Sequence, residues 1–233
     1  AMAGMAEVPL NTAYEGPFLE HQVRTTKPRA VIADPALLSR FEEGNEAYAS
    51  IERTYTFGGT FDRLLEGADV ELPEVDYRDL AAIFFTSGTT GLSKGVMMSH
   101  SHLAFFADQG RALTRLTDAD AYMSVGPLFH GNAQFLAAYP ALVVGARCVL
   151  QERFSATRWI EQIAETGTTV TNLVGVMMDF VWKQPRKPQD RDNKLRAIYA
   201  VPLATTIAQE FRERFGVEAS SRASARPRRR CRS

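Results

Sequence analysis

Short apolar runs with the length of β-strands alternate with segments of helical periodicity over residues 80–216. The strand-like runs are 81–85, 96–98, 121–125, 147–150, 168–173 and 195–200. Strands and helices that alternate in this way build parallel sheets covered by helices, because two parallel strands need a long crossover between them. The sequence therefore predicts an α/β fold with a largely parallel sheet.

Helix start and stop signals give local expectations. Helices are predicted at 17–26, 36–43, 101–113 and 207–215. In the last of these, Thr205 or Thr206 is expected to cap the start, and Gly216 is expected to end the helix. Glu210 lies four residues before Arg214, which predicts an ion pair between them.

A loop rich in glycine and hydroxyl residues follows the apolar run 81–85 and ends at a lysine. Gly88, Gly91 and Gly95 permit positive φ and close approach of backbone N–H groups to an anion. Lys94 adds a positive charge. Further hydrogen-bond donors come from the hydroxyls of Thr86, Ser87, Thr89, Thr90 and Ser93. The composition fits a phosphate site, and it equally fits a polar surface turn.

The order of residues separates these alternatives. A Walker A loop requires glycine before its lysine and Ser or Thr after it, whereas Ser93 precedes Lys94 and Gly95 follows it. The stretch Thr86–Gly95 instead resembles the phosphate loop of the AMP-forming adenylating enzymes, which include the acyl-CoA synthetases. The chain departs from that pattern at Ser93, where the family usually has proline, and this loss is expected to loosen the loop through backbone entropy.

The resemblance implies a fold and a set of ligand contacts. The chain would form part of the large N-terminal domain of such an enzyme, with Lys94 acting in catalysis. It implies that ATP is bound by Thr86, Ser87, Gly88, Thr89, Thr90, Gly91 and Lys94.

A second motif, Pro127-Leu128-Phe129-His130, follows the run 121–125. A single histidine after a strand is often a structural hydrogen-bonding residue. The segment resembles the next motif of the adenylating enzymes, in which the histidine lies near the carboxylate and α-phosphate. By that resemblance His130 is catalytic and, with Phe129, borders the substrate pocket. An imidazole can donate a hydrogen bond to charge that develops during phosphoryl transfer.

Two later segments are expected near the acyl pocket. Residues 176–182 are predicted to form a buried helix in which Met177, Met178 and Phe180 fill the core. The resemblance also places this region beside the acyl pocket, and it adds Val201 and Pro202 as residues of the pocket wall.

A metal site is not assigned from sequence. His100 and His102 are two residues apart, so on a helix they do not share a face. They are interpreted as local hydrogen-bonding residues at a helix start. The Mg²⁺ that full-length relatives use is held by a Tyr-Gly-x-Thr-Glu motif, which these 233 residues do not contain.

The net charge of zero conceals an asymmetry between the body of the chain and its end. Six of the 27 basic side chains lie in residues 219–233 without any acid, so the other 218 residues carry 21 basic and 27 acidic side chains. Residues 219–233 are predicted to be disordered. They are interpreted as a non-native end such as a translated frameshift, or alternatively as a basic arm that binds nucleic acid.

Other features point to a cytoplasmic protein. Cys148 and Cys231 are the two cysteines, which gives no disulfide framework and favours a reducing compartment. The apolar stretch 135–146 is too short to span a bilayer. There is no signal-peptide pattern at the start, where the chain begins abruptly in what resembles the middle of the family domain.

Three regions are predicted: an incomplete first subdomain at 1–79, an α/β nucleotide-binding subdomain at 80–218 and a basic tail at 219–233. By resemblance, the function is that of a fragment of an acyl-CoA synthetase, which joins a carboxylic acid to coenzyme A through an acyl-adenylate. The partners are then ATP, the acid and coenzyme A, with Mg²⁺. The chain is expected to be inactive alone. The alternatives are a non-catalytic nucleotide-binding or interaction module and a nucleic-acid binder; neither the acid nor an oligomeric state is assigned.

Overall fold

The computed structural model describes residues 4–42, 44–65, 67, 71–86, 92–200, 202, 205–217 and 219–222. The chain divides into two compact units, Ala1–Leu103 and Ala104–Ser233. The predicted boundary at residue 79 falls inside the first unit, and the predicted subdomain division stays a prediction. Among the described residues, the helices are too short or too polar for any of them to cross a membrane.

The first unit contains two small sheets. Its elements are α1 (Pro17–Thr26), β1 (Ala30–Ala33), 3-10 helices at Pro35–Arg40 and Glu46–Tyr48, β2 (Arg53–Thr56), α2 (Asp62–Leu65), β3 (Leu80–Phe85) and β4 (Gly95–Ser99). Strands β1 and β2 pair in parallel, while β3 and β4 pair antiparallel. Helix α3 (His100–Thr114) follows directly after β4 and continues into the second unit.

Two local predictions in the first unit need correction. The predicted helix at 36–43 is the 3-10 helix Pro35–Arg40, although Asp34 does cap it by accepting the Ala36 N–H at 2.8 Å. Strand β2 was not predicted, because its residues show no alternation of apolar and polar types. It forms because the backbone of β1 offers a partner, with Val31 opposite Thr54.

The second unit is built on one five-stranded parallel sheet. Its elements after α3 are β5 (Ala121–Ser124), α4 (Gly131–Ala133), a π-helical segment (Gln134–Ala138), α5 (Tyr139–Val144), β6 (Arg147–Leu150), α6 (Trp159–Thr166), β7 (Val170–Leu173), α7 (Gly175–Trp182), a 3-10 helix (Pro188–Asp190), β8 (Ala197–Ala200), α8 (Ala208–Phe215) and β9 (Ala219–Arg222). The strand order is β6-β5-β7-β8-β9, and each neighbouring pair is parallel. The predicted parallel α/β fold is confirmed.

Strand β9 corrects the prediction that residues 219–233 lack structure. Ala219 pairs with Ala197 and Arg222 with Ala200, so the backbone extends the sheet at one edge. Strand pairing uses backbone N–H and C=O groups and does not require apolar side chains. Residues 223–233, where most of the arginines lie, are outside the described residues.

The ends of the helices in the second unit follow the sequence signals in part. Gly216 ends α8 in a left-handed conformation with φ of 70°, as predicted, and Gly167 ends α6 in the same way with φ of 61°. The proposed cap by Thr205 or Thr206 is wrong, since no side-chain hydrogen bond caps α8.

Pro140 lacks the N–H that would bond to the Leu136 carbonyl, and this carbonyl instead accepts the Tyr122 hydroxyl at 2.9 Å.

One buried carboxylate joins three segments of the second unit. Asp120 accepts hydrogen bonds from Arg196 at 2.6 and 2.9 Å, from Thr169 at 2.7 Å and from Thr117 at 2.9 and 3.0 Å. Arg196 also donates to the carbonyl of Thr114 at the end of α3. Burial acts to raise the pKa of Asp120, but these hydrogen bonds outweigh burial and hold the pKa well below its usual value.

Asp120→Asn is expected to lower the free energy of unfolding at pH 7 by about 2 kcal/mol, because hydrogen bonds to a charged group are lost. A carboxylate whose pKa is depressed by folding stabilises the protein above its unfolded pKa of about 3.9 and loses that contribution as pH falls. The difference between wild type and variant should therefore stay constant from about pH 5 to 8 and shrink below about pH 4. Urea unfolding at several pH values measures it. The exposed neighbour Asp118→Asn is the control, with an expected change below about 0.5 kcal/mol; equal effects of the two variants would contradict the prediction.

Candidate functional site

The loop predicted to bind phosphate connects the antiparallel strands β3 and β4. Phe85 lies opposite Gly95, and beyond that pair the Thr86 N–H donates to the Lys94 carbonyl at 3.0 Å. The structure thus brings together Thr86 and Lys94, the two ends of the loop. The predicted ligand residues Ser87, Gly88, Thr89, Thr90 and Gly91 lie outside the described residues.

Lys94 and Gly95 have different local roles. The Lys94 residue is exposed, and within the described part of the chain its ammonium group has no ion-pair partner. Gly95 was expected to supply positive φ or close approach. It does not have positive φ, but a Cβ at this position would lie 3.0 Å from Ile83 Cγ2 and 3.7 Å from the Phe85 ring. Close packing within the β3–β4 hairpin therefore favours glycine here.

Sequence reasoning missed two residues that contact this loop. His21 and Gln22 of α1 both reach Ser93, the residue before Lys94. They are separated from Ser93 by 72 and 71 residues, and no local pattern in the sequence connects the two segments. These contacts are visible only in the folded chain.

His130 lies at the start of the helical segment that follows β5. The residue is exposed, and its Nδ1 accepts the N–H of Asn132 at 3.4 Å as a helix cap. A neutral imidazole that accepts at Nδ1 carries its proton on Nε2. His130 is therefore arranged to donate a hydrogen bond from Nε2, although its catalytic role stays a prediction.

A buried amide next to His130 was not predicted. Asn172 on β7 is 1% exposed; its Oδ1 accepts the Val125 N–H at 3.3 Å and its Nδ2 donates to Asn132 Oδ1. This pair of contacts ties the segment after β5 to the neighbouring strand β7. A polar residue inside a run of strand-forming residues was the available sequence signal, because a buried amide needs hydrogen-bond partners.

The predicted pocket residues lie at the carboxyl ends of the strands. Phe129 follows β5 and is half-buried, whereas Pro202 follows β8 and is exposed. A Cβ at Gly175, the first residue of α7, would lie 2.8 Å from the Pro202 carbonyl oxygen, so the segment after β8 approaches α7 closely. Val201 is outside the described residues.

The prediction that α7 is buried is wrong for one face of the helix. Met178 is 2% exposed, but Val176 and Phe180 are 53% and 51% exposed. These two side chains are four residues apart and therefore share a face, which is directed away from the core. The exposed face begins at the same end of the sheet as His130 and Pro202.

Of the two histidines at the start of α3, His102 makes local contacts as predicted, whereas the buried Nε2 of His100 has no hydrogen-bond partner among the described residues. His102 Nδ1 lies 3.3 Å from the backbone nitrogen and from the hydroxyl of Ser99. Among the described residues, no group of three or more His, Cys, Asp or Glu side chains is arranged to hold a metal ion.

The family model described as AMP-binding enzyme matches residues 1–221. The chain belongs to this family of adenylate-forming ligases.

Individual relatives agree with this assignment. The crotonobetaine/carnitine–CoA ligase of Salmonella agona is 38% identical over 146 residues, which are 62% of this chain and 28% of that relative. The ATP-bound crystal structure of MatB from Rhodopseudomonas palustris matches 94% of this chain and 44% of its own, with a TM-score of 0.77 and 25% identity. A benzoate CoA ligase from Burkholderia xenovorans LB400 shares the fold, with a TM-score of 0.79 and 22% identity over 93% of this chain and 45% of its own. The chain thus spans less than half the length of these relatives.

Proposed function

We propose that this chain is part of an ATP-dependent acyl-CoA synthetase, which activates a carboxylic acid as an acyl-adenylate and transfers the acyl group to coenzyme A. The observation that carries the proposal is the loop between β3 and β4, whose ends are joined at Thr86 and Lys94 and whose sequence resembles the phosphate loop of adenylating enzymes. The likeness to ATP-bound MatB and to a crotonobetaine/carnitine–CoA ligase supports it.

Each predicted site residue has a role in this proposal. Backbone N–H groups and hydroxyls of residues 86–91 bind the phosphates of ATP, and Lys94 neutralises their charge. His130 donates from Nε2 to the charge that develops as the carboxylate attacks the α-phosphate. Phe129, Val201 and Pro202 border the acid. Mg²⁺ would supply further charge neutralisation when bound, and no role in holding it is assigned to the described residues.

Lys94→Ala is expected to weaken binding of ATP and of inorganic pyrophosphate by roughly tenfold to 150-fold, because a charge-assisted hydrogen bond contributes about 1.5–3 kcal/mol. Calorimetric titration of wild type and variant with each ligand measures this.

ATP is expected to bind at about millimolar Kd, and pyrophosphate should compete about as well as ATP, because the loop contacts phosphate. His130→Ala should have a much smaller effect, since its proposed partner is a transition state.

Lys183→Ala is the matched control, because this lysine is also exposed but lies at the end of α7. Its binding should equal that of the wild type. Equal ATP binding by wild type and Lys94→Ala would refute the phosphate-loop assignment for this chain.

The 233-residue chain by itself is proposed to be inactive. The 233 residues contain no Tyr-Gly-x-Thr-Glu motif, from which full-length relatives take a magnesium ligand. Losing one such electrostatic contribution lowers rates on the order of a hundredfold or more. Carboxylate-dependent exchange between ATP and labelled pyrophosphate should therefore not exceed background with fatty or aromatic acids. Exchange above background would show that the chain is sufficient for the first half-reaction.

A further inference from the structure

Two side chains of α1 contact the residue that precedes Lys94. The Nε2–H of His21 donates to the backbone carbonyl of Ser93 at 2.7 Å. The side-chain amide of Gln22 donates to Ser93 Oγ at 3.4 Å. The His21 ring also packs edge-on against Phe85 of β3, with ring centroids 6.2 Å apart. One helix therefore contacts both the strand that enters the loop and the arm that leaves it.

We infer that His21 and Gln22 are positioning residues for the phosphate loop, an inference that rests on the proposed function. The Ser93 carbonyl and the Lys94 N–H belong to one planar peptide unit. The hydrogen bond from His21 fixes the orientation of that plane. The next peptide plane is fixed as well, because the Lys94 carbonyl accepts the Thr86 N–H at 3.0 Å. Both peptide units that flank Lys94 are thus held by neighbouring segments.

Gln22 adds a contact that is specific to serine at position 93. The Gln22 residue is 2% exposed, and its Oε1 has no hydrogen-bond partner within the part of the chain that the structure describes. Ser93 Oγ is therefore the partner that the structure gives to this buried amide. A proline would restrict its own φ through its ring, but it has no side-chain oxygen to accept from Gln22. In this chain the restriction comes instead from hydrogen bonds donated by α1.

Two substitutions at residue 21 separate positioning from packing. His21→Phe keeps an aromatic ring against Phe85 and removes the donor, whereas His21→Gln restores a donor at about the distance of Nε2. The first measurement is titration with inorganic pyrophosphate. The second is NMR hydrogen exchange of the Thr86 amide, which reports on the closed loop without any ligand. Thermal unfolding of each variant confirms that it is folded.

His21→Phe should raise the Kd for pyrophosphate by about 3- to 10-fold and speed exchange of the Thr86 amide by a similar factor, as expected for the loss of one hydrogen bond. His21→Gln should restore both values to within about twofold of wild type. Ser93→Ala, which removes the acceptor for Gln22, should give a smaller change of the same sign.

Failure of this inference is distinguishable from failure of the proposed function. If Lys94→Ala weakens pyrophosphate binding while His21→Phe leaves it unchanged, the site is real and α1 does not position it. If the wild type does not bind pyrophosphate, the proposed function is overturned. In that case hydrogen exchange of the Thr86 amide is the remaining test of whether α1 positions the loop. Faster exchange in His21→Phe supports the inference, and an unchanged exchange rate overturns it.

Discussion

Asp190→Ala is expected to lower the free energy of unfolding by about 3–5 kcal/mol, because it leaves a buried guanidinium without its counter-charge. Asp190 Oδ2 accepts from Arg214 Nε at 2.7 Å, and the two side chains are 6% and 5% exposed. Arg214 also donates to the carbonyls of Trp182 and Pro185, each at 2.9 Å. The pair therefore joins α8 to the end of α7 and to the 3-10 helix at Asp190.

Urea unfolding followed by tryptophan fluorescence measures the effect of this substitution. The matched control is Glu210→Ala, since Glu210 lies four residues before Arg214 and was the predicted partner, but is exposed and distinct from the observed pair. The control is expected to change the unfolding free energy by less than about 0.5 kcal/mol. A control effect as large as that of Asp190→Ala would restore Glu210 as the energetic partner of Arg214.

Phe211→Ala is expected to cost about 3–5 kcal/mol of stability, through lost burial and the cavity that remains. Phe211 is 1% exposed and lies in an aromatic cluster, with ring centroids 4.6 Å from Phe215, 6.0 Å from Trp159 and 6.3 Å from Trp182. The cluster joins α8 to α6 and α7 over one face of the sheet. The same urea titration measures the loss.

Phe180→Ala on α7 is the control for Phe211→Ala, because the Phe180 residue is 51% exposed. Its expected cost is below about 1 kcal/mol. If Phe211→Ala does not fold, Phe211→Leu keeps most of the apolar volume and should show a smaller destabilisation of the same sign. Equal costs at positions 180 and 211 would show that Phe211 is not part of the stabilising core.

Most of the second unit was predictable because its signals are local. Strand-length apolar runs identified β5 to β8, and Gly216 marked the end of α8 through positive φ. The wrong predictions concern residues whose structure depends on contacts with distant segments of the chain. Phe180 is of a residue type that is typical of cores, yet it and Val176, which lies on the same face, are about half exposed. The edge strand β9 has no apolar pattern at all and depends on the backbone of β8.

Some features of the candidate site were likewise predictable from the sequence, and others were not. The loop and the His130 motif were recognisable from residue order, because a phosphate site requires particular residue types at fixed spacing. The anchoring of Ser93 by α1 and the amide pair of Asn132 and Asn172 were not, because they join residues 71–72 and 40 positions apart.

The sequence by itself determined the parallel α/β class, the positions of most strands and helices, and the family to which the loop that ends at Lys94 is similar. The periodicity of apolar residues and the spacing of glycines and hydroxyl residues are patterns over a few residues. They can therefore be recognised in the sequence without knowledge of the fold. Only the tertiary structure decided that Arg214 pairs with Asp190 and not with Glu210, and that the Tyr122 hydroxyl satisfies the carbonyl freed by Pro140. A buried polar group takes the partner that lies beside it in the folded interior, and proximity there is set by packing between elements, not by distance along the chain.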